Sequence, residues 1–280
     1  MKILLTGATG YIGSAVLAAL HDHGHDVVAP VRSARSLDAV QGAGARGILG
    51  DATDAAWLTA LLADVDGAVH AAAPGDGTAA EFDGRMVDAV LAAFSGTAKP
   101  YVHTGGIWTW GAGAELRDDD APHPPALTAW RPAIEARVLT SGLAASVLSP
   151  GVVYGHGRGL AGLVTTPDAD GRVRLIGDGA QHWTTVHVDD LAELYVRVLE
   201  SGRALGRMLG VSGVNPTVRE IAEAARPLEV VSETPEESRA RLGEAFADAL
   251  LLDQQAVGDK ARELGWAPAR PSLVEELRAG

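Results

Sequence analysis

Apolar and β-forming residues run through Lys2-Ile-Leu-Leu-Thr6 and stop at three spaced glycines, Gly7, Gly10 and Gly13. Directly after them Ile12, Ala15, Val16, Ala19 and Leu20 fall at helical spacing, with one face apolar. The alternation then repeats. Further strands are predicted over Asp26–Val31, Gly47–Gly50, Gly67–Ala72 and Pro100–Thr104, short and apolar as strands buried on both faces are. One intervening helix shows in Trp57, Leu58, Leu61 and Leu62. Another shows in Phe82, Met86, Val90 and Phe94, which recur every four residues over about 78–96. A helix from about Thr128 to Ser141 follows the loop of Pro122, Pro124 and Pro125, and Ala144–Leu148 is a sixth strand. Strand and helix in turn, joined by short loops, predict an α/β fold with a doubly wound parallel sheet. Beyond residue 150 the alternation loosens into a strand at 173–176, the stretch Trp183–Val188, a helix over Asp189–Leu199, a strand near 207–211 and terminal helices. Residues 1–150 with about 186–202 therefore read as a nucleotide-binding domain. Residues 151–185 with 203–280 read as a smaller, partly interleaved substrate-binding portion.

The junction of the first strand and first helix carries the chemistry. Strand, glycine turn and helix bring backbone N–H groups and a helix N-terminus to where a pyrophosphate can sit. Gly7 permits the sharp turn, Gly10 admits the phosphates to the backbone, and Gly13 lets the helix pack on the strand. In such a sheet ligands gather beyond the carboxyl ends of the strands, here Gly7–Gly13, Arg32, Asp51, Ala71–Pro74 and Thr104–Trp110. An acidic residue after the second strand would bond the ribose 2′-hydroxyl of NAD. This chain has Val31-Arg32-Ser33-Ala34-Arg35 instead. A neutral residue followed by arginine removes repulsion and offers a fork to a 2′-phosphate, so NADP is expected, as NADPH in preference to NADH.

Composition narrows the partners. A formal charge of −13, from 23 basic and 36 acidic side chains with no basic cluster, argues against nucleic acid and anionic membranes. The absence of cysteine removes disulfides, thiolate nucleophiles and cysteine-based zinc sites. No apolar run reaches membrane-spanning length, and the N-terminus reads as strand rather than signal peptide, so a cytoplasmic location is expected. His21, His23 and His25 sit at a helix end, and Asp118, Asp119 and Asp120 in a loop. Both groups read as solvated rather than metal-binding, and no metal is expected.

Taken together, Thr6-Gly-Ala-Thr-Gly-Tyr-Ile-Gly13, Gly50-Asp51, His70-Ala-Ala72, Pro150-Gly-Val-Val-Tyr154-Gly155 and Val186-His-Val-Asp-Asp190 resemble the NAD(P)-dependent epimerase/dehydratase branch of the short-chain dehydrogenase/reductase superfamily. Gly177-Asp-Gly179, Thr217-Val-Arg-Glu-Ile221 and Leu264-Gly-Trp-Ala-Pro268 extend the resemblance over nearly the whole chain. It implies an extended Rossmann-type fold and a cofactor site made by Gly7, Thr9, Gly10, Tyr11, Ile12, Arg32, Asp51 at the adenine, Ala71, Ala72 and Arg131. Relatives commonly form homodimers, which makes one possible here.

The family's chemistry usually rests on a serine, a tyrosine and a lysine, and the resemblance breaks there. In Val102-His-Thr-Gly-Gly106, Gly106 stands where the serine should. When Glu135 takes the family's glutamate, Leu127 falls at the tyrosine and Arg131 at the lysine. Anchoring on the aromatic instead gives Trp130 and Ile134. The chain's only lysines are Lys2, Lys99 and Lys260, none of them placed for the role. Of Tyr11, Tyr101, Tyr154 and Tyr195, only Tyr154 is positioned to face a substrate, as proton donor or as packing aromatic. Thr104 either bonds a carbonyl or closes its strand, and His103 should point the opposite way. Arg131 does not act as an acid near neutral pH, but it can hold ribose or phosphate and stabilise an oxyanion. Trp108, Trp110, Trp130 and Trp183 suggest an apolar or aromatic small-molecule substrate, although several could be core. The leading reading is an atypical NADP-dependent oxidoreductase reducing a C=N, C=C or activated C=O bond of a hydrophobic small molecule. Tyr154, Thr104 and Arg131 are its candidate catalytic residues. The alternatives are a redox-neutral isomerase, lyase or cyclase on the same fold, and a non-catalytic NADP(H)-binding regulator.

Overall fold

The computed structural model describes Met1–Ala279. It divides into two compact units. One comprises Met1–Gly105, Trp130–Leu148 and Ala192–Met208; the other comprises Gly106–Ala129, Ser149–Leu191 and the described residues from Leu209 onward. In chain order the elements begin with β1 (Lys2–Thr6), α1 (Tyr11–Asp22), β2 (Asp26–Val31), α2 (Ala34–Gly42), β3 (Arg46–Leu49), α3 (Ala55–Ala63), β4 (Gly67–His70), α4 (Ala79–Phe94) and β5 (Tyr101–Thr104). There follow β6 (Gly113–Leu116), α5 (Arg131–Leu139), β7 (Ala145–Pro150), β8 (Val152–Gly155), β9 (Arg158–Gly159), β10 (Arg172–Arg174), β11 (Thr185–His187), α6 (Val188–Glu200) and β12 (Gly206–Gly210). The chain ends with α7 (Val218–Ala224), β13 (Glu229–Val231), α8 (Pro235–Leu242), α9 (Glu244–Leu250), β14 (Gln254–Ala256), α10 (Asp259–Glu263) and α11 (Leu273–Ala279).

The predicted doubly wound sheet is present. Its seven strands run in the order β12-β7-β5-β4-β1-β2-β3, with parallel pairing from β3 through to β7. The chain leaves β1 toward β2 and β3, then returns to lay β4 on the other side of β1. The crevice at the carboxyl ends of β1 and β4 is therefore the topological switch point. The apolar periodicity of the helices is spent on this sheet. Leu58, Leu62, Met86, Val87, Val90 and Phe94 are buried in one cluster with Leu4, Val28, Ala68 and Val147 of the strands. Burying each such side chain stabilises the fold by roughly 1.5–3 kcal/mol. The Asp54 carboxylate starts α3 by accepting the Ala56 and Trp57 N–H groups. The helix expected from Thr128 begins instead at Arg131, because Ala126–Thr128 closes into a 3-10 turn and Pro132 suits a helical first turn.

The second unit is built from short pieces. β8 pairs parallel with β11 and antiparallel with β9, β10 pairs parallel with β13, and β6 with β14 across a register shift. Its main core gathers Val152, Tyr154, Val173, Leu175, Ile176, Trp183, Ile221 and Leu250. Reciprocal capping boxes start α7 (Thr217 with Glu220) and α8 (Thr234 with Glu237). The acidic loop departs from expectation: Asp118 is buried, not solvated, and accepts the backbone N–H groups of Leu209 at 2.7 Å and Lys260 at 3.2 Å. A carboxylate that satisfies two buried amides is a structural tie, and charge patterning gave no sign of it. Among the described residues no helix is long and apolar enough to cross a membrane.

Candidate functional site

At the end of β1, Gly7 and Gly13 are held by contacts that admit no side chain, and a Cβ on Gly10 would lie 3.1 Å from the Gly7 carbonyl oxygen. Gly7 has φ +76°, and a Cβ there would lie 2.5 Å from the Ala71 carbonyl oxygen. The Gly10 N–H donates to the Gly7 carbonyl at 2.8 Å, and a Cβ on Gly13 would lie 2.0 Å from that same oxygen. Gly10 then caps α1 in an extended conformation with no side-chain cap, and the first turn of the helix holds no acidic residue. The helix N-terminus thus has a positive end, no competing carboxylate and a backbone wall that ligand atoms can approach closely. This cradle fits a dinucleotide pyrophosphate, and side chains at Gly7 or Gly13 would close it. Thr9, Tyr11 and Ile12 are carried on the same turn and helix start, and Ala71 and Ala72 form the backbone against which Gly7 packs.

The other strand ends flank this turn. Arg32 and Arg35 are exposed after β2, and Ser33 accepts the Ser36 N–H to start α2. Asp51 lies beyond β3 and is also exposed. Its carboxylate accepts the Thr53 N–H and hydroxyl, both at 2.8 Å, and these bonds hold its pKa below the usual aspartate value, with Arg85 and Arg32 adding to the effect. Past β5, Thr104 is half-buried and its hydroxyl meets the Tyr195 hydroxyl at 2.7 Å. Burial raises the Tyr195 pKa, so this phenol stays protonated.

Arg131 reaches the same strand end from the start of α5. Its Nη1 donates to the Thr104 carbonyl at 3.3 Å and lies 3.7 Å from the Asp83 carboxylate, while the guanidinium carbon lies 4.5 Å from the Trp130 ring centroid. His103 is buried beneath, as the alternation along β5 requires, and burial lowers its pKa to about 3. Sequence reading missed Asp83, His70 and the partner role of Tyr195. A signal for Asp83 exists: it shares the buried face of α4 with Met86, Val87, Val90 and Phe94, an unusual place for a lone carboxylate.

The remaining candidates belong to the second unit. Trp110 and Trp183 are both 2% exposed, and their indole N–H groups donate to the Arg117 carbonyl at 2.9 Å and the Leu250 carbonyl at 3.0 Å. Trp108 is half-buried, edge-on to Phe246. Tyr154 is 2% exposed, and its hydroxyl donates to the Pro271 carbonyl at 2.7 Å. A phenol in that position anchors the chain, so Tyr154→Phe is expected to cost about 1–2 kcal/mol of stability in urea unfolding. The turnover number should stay within a factor of two; a tenfold fall would restore Tyr154 as a proton donor. One group of described residues has metal-ligating composition: His156, His187 and Asp189, with a ligand atom of each within 4.8 Å of the others. The same atoms already bond one another and their neighbours. His156 Nε2 lies 2.9 Å from Asp189 Oδ1, the Asp189 N–H donates to His187 Nδ1 at 3.1 Å, and Arg270 lies 3.1 Å from Asp189 Oδ2.

The NAD dependent epimerase/dehydratase family model matches residues 3–99. A 3-diazoavenalumate denitrifying reductase from Streptomyces sp is 31% identical over 314 residues, covering 99% of each chain. An uncharacterized protein of Schizosaccharomyces pombe is 28% identical over 290 residues, 99% of this chain and 98% of that one. Among solved structures, a human epimerase family protein with NADPH superposes with a TM-score of 0.76 at 20% identity, covering 100% of this chain and 98% of that one. The glycine turn at the switch point and these matches agree: the chain belongs to the NAD-dependent epimerase/dehydratase family.

Proposed function

We propose that this chain is an NADPH-dependent reductase that works without the usual serine, tyrosine and lysine. The observation that carries the reading is the glycine turn, closed to side chains and open to a pyrophosphate at an uncapped helix N-terminus. Gly7, Thr9, Gly10, Tyr11 and Ile12 would hold the phosphates, Asp51 the adenine end, Ala71 and Ala72 the backbone wall, and Arg131 the nicotinamide ribose. Bound there, the cofactor supplies a hydride, and the protein supplies position and charge. Arg32 favours NADPH: it is exposed beyond β2, and no acidic residue precedes it on that strand end. Arg32→Ser should weaken NADPH binding about 10–150-fold, the worth of a charge-assisted hydrogen bond, and leave NADH binding within twofold. Equal losses for the two cofactors in a fluorescence titration would contradict the assignment.

Arg131 brings a fixed positive charge that stabilises negative charge developing on an acceptor, but it donates no proton near neutral pH. Thr104 offers its hydroxyl to the acceptor, backed by Tyr195. The acceptor is therefore one that needs little acid help: a C=N, C=C or activated C=O bond, its proton drawn from water or already present on an iminium. The reductase named among the relatives supports a reductive activity. Trp110 and Trp183 are assigned to the core, and half-buried Trp130, beside Arg131, is the aromatic residue offered to an apolar substrate. Absorbance at 340 nm tests the reading on a panel of cyclic imines, enones and activated ketones. NADPH consumption with one of them is expected; conversion of a substrate with no loss of NADPH would replace the reductase with a redox-neutral enzyme.

A further inference from the structure

A chain of buried polar groups runs beneath the carboxyl end of the sheet and ends on Arg131. The Thr6 hydroxyl and His70 Nδ1 are 2.7 Å apart, and His70 Nε2 lies 3.2 Å from Asp83 Oδ1. On the other side Tyr101 OH lies 2.9 Å from His103 Nδ1, and His103 Nε2 lies 3.7 Å from Asp83 Oδ2, the oxygen that also faces Arg131 Nη1 at 3.7 Å. One assignment of ring tautomers suits these distances. The Thr6 and Tyr101 hydroxyls donate to the two Nδ1 atoms, and both rings turn their Nε2–H groups toward Asp83. Asp83 is thus a hub, 4% exposed at its side chain, with an imidazole on two sides and the Arg131 guanidinium on the third.

An ionised carboxylate at this depth needs a positive partner, and among the described residues Arg131 is the arginine or lysine within 4 Å. The dependence is mutual. At 17% side-chain exposure, Arg131 could take other rotamers; Asp83 and the Thr104 carbonyl fix Nη1, and the Trp130 ring lies against the guanidinium plane. Nε and Nη2 remain for a ligand. The two histidines and their hydroxyl partners belong to β1, β4 and β5, so the position of the guanidinium is referred to the same strands that carry the glycine turn.

We propose that Asp83 is the positioning residue for Arg131, and that the hydrogen bond from His70 and the facing His103 ring hold it there. This inference rests on the reading of Arg131 as a ligand of the nicotinamide riboside. In place of a lysine it gives the site a charge that neither titrates nor swings. Removing Asp83 leaves Arg131 charged but free to leave its position, so NADPH should lose what Arg131 contributes and nothing more.

The test is a double-mutant cycle on cofactor binding. NADPH and 2′,5′-ADP, which carries the adenosine and 2′-phosphate but no nicotinamide riboside, are titrated into the wild type, Asp83→Asn, Arg131→Met and the double variant. The expected result is a loss of about tenfold in NADPH affinity for either single variant and no further loss in the double, with 2′,5′-ADP binding unchanged throughout. Asp83→Ser, which removes the carboxylate with a smaller side chain, repeats the cycle if the asparagine variant does not fold. Losses that multiply, or an Asp83 variant that binds NADPH as the wild type does, would overturn the positioning role while leaving Arg131 a cofactor residue. An Arg131→Met protein with undiminished NADPH affinity would overturn the underlying reading, and equal damage to 2′,5′-ADP binding would make Asp83 a purely structural residue.

Discussion

Gly13→Ala is expected to weaken NADPH binding by about 100-fold or more, although alanine is by about 1 kcal/mol the better helix former. The two effects have opposite signs, which makes the result diagnostic. Propensity alone would stabilise α1. The added Cβ, however, would lie 2.0 Å from the Gly7 carbonyl oxygen, which also accepts the Gly10 N–H. Carbon and oxygen need more than 3 Å, so either α1 lifts off β1 or the Gly7–Gly10 turn opens by about an ångström. Both movements take the helix N-terminus away from a phosphate. Far-ultraviolet circular dichroism should retain the wild-type helix content while calorimetric titration shows the loss of affinity. A variant that binds NADPH as the wild type does would mean that phosphates do not meet this turn.

The second large effect is on stability in acid. Burial is the main reason that the His103 pKa lies near 3 rather than at its ordinary 6.5; His70 and Arg131 beside it push in the same direction and Asp83 opposes them. Between those two values the unfolded chain binds a proton that the folded chain does not, so stability rises with pH through the window and is complete above about pH 7. Descending from pH 7 to 4 should remove roughly 3 kcal/mol from this group alone. Asp83 adds a further loss at lower pH. Burial by itself would raise its pKa, but the hydrogen bond from His70 and the surrounding positive groups hold it below the usual aspartate value, so its contribution disappears as pH falls through that lowered pKa. Urea midpoints measured at pH 7, 5 and 4 give the slope. His103→Gln should flatten it between pH 6.5 and 4; an unchanged slope would place the acid sensitivity elsewhere.

What could be read from the chain alone follows from period and chemistry. The strand from Lys2 to Thr6 and the helix from Tyr11 announce themselves because the apolar period changes abruptly at three glycines, and the structure gives Gly7 and Gly13 contacts that require them. β6, β8, β9, β13 and β14 were not predicted. They are two to four residues long and lie in the second unit, outside the strand–helix repeat that marks the equally short β3, β4 and β5. Among the site candidates, Arg131 and Thr104 do meet at the end of β5. Tyr154 and Trp183 illustrate the converse. A residue type that can do chemistry can equally bury its ring and give its one polar hydrogen to a backbone carbonyl, and no local pattern separates the two outcomes. The Asp83 network was hidden for a related reason: its members are spaced 64, 13 and 20 residues apart (Thr6 to His70, His70 to Asp83, Asp83 to His103) and are joined only by strand order. Asp118 was misread because a run of three acidic residues normally faces water, whereas this one turns its first carboxylate onto two buried amides.

Isothermal titration of the wild-type chain with NADPH and with NADH addresses the central claim most directly. One NADPH should bind per chain, at least tenfold tighter than NADH, with the difference abolished in Arg32→Ser. No heat of association with either dinucleotide at millimolar concentration would contradict the account, because the glycine turn would then be a structural bend and Arg32 a surface charge.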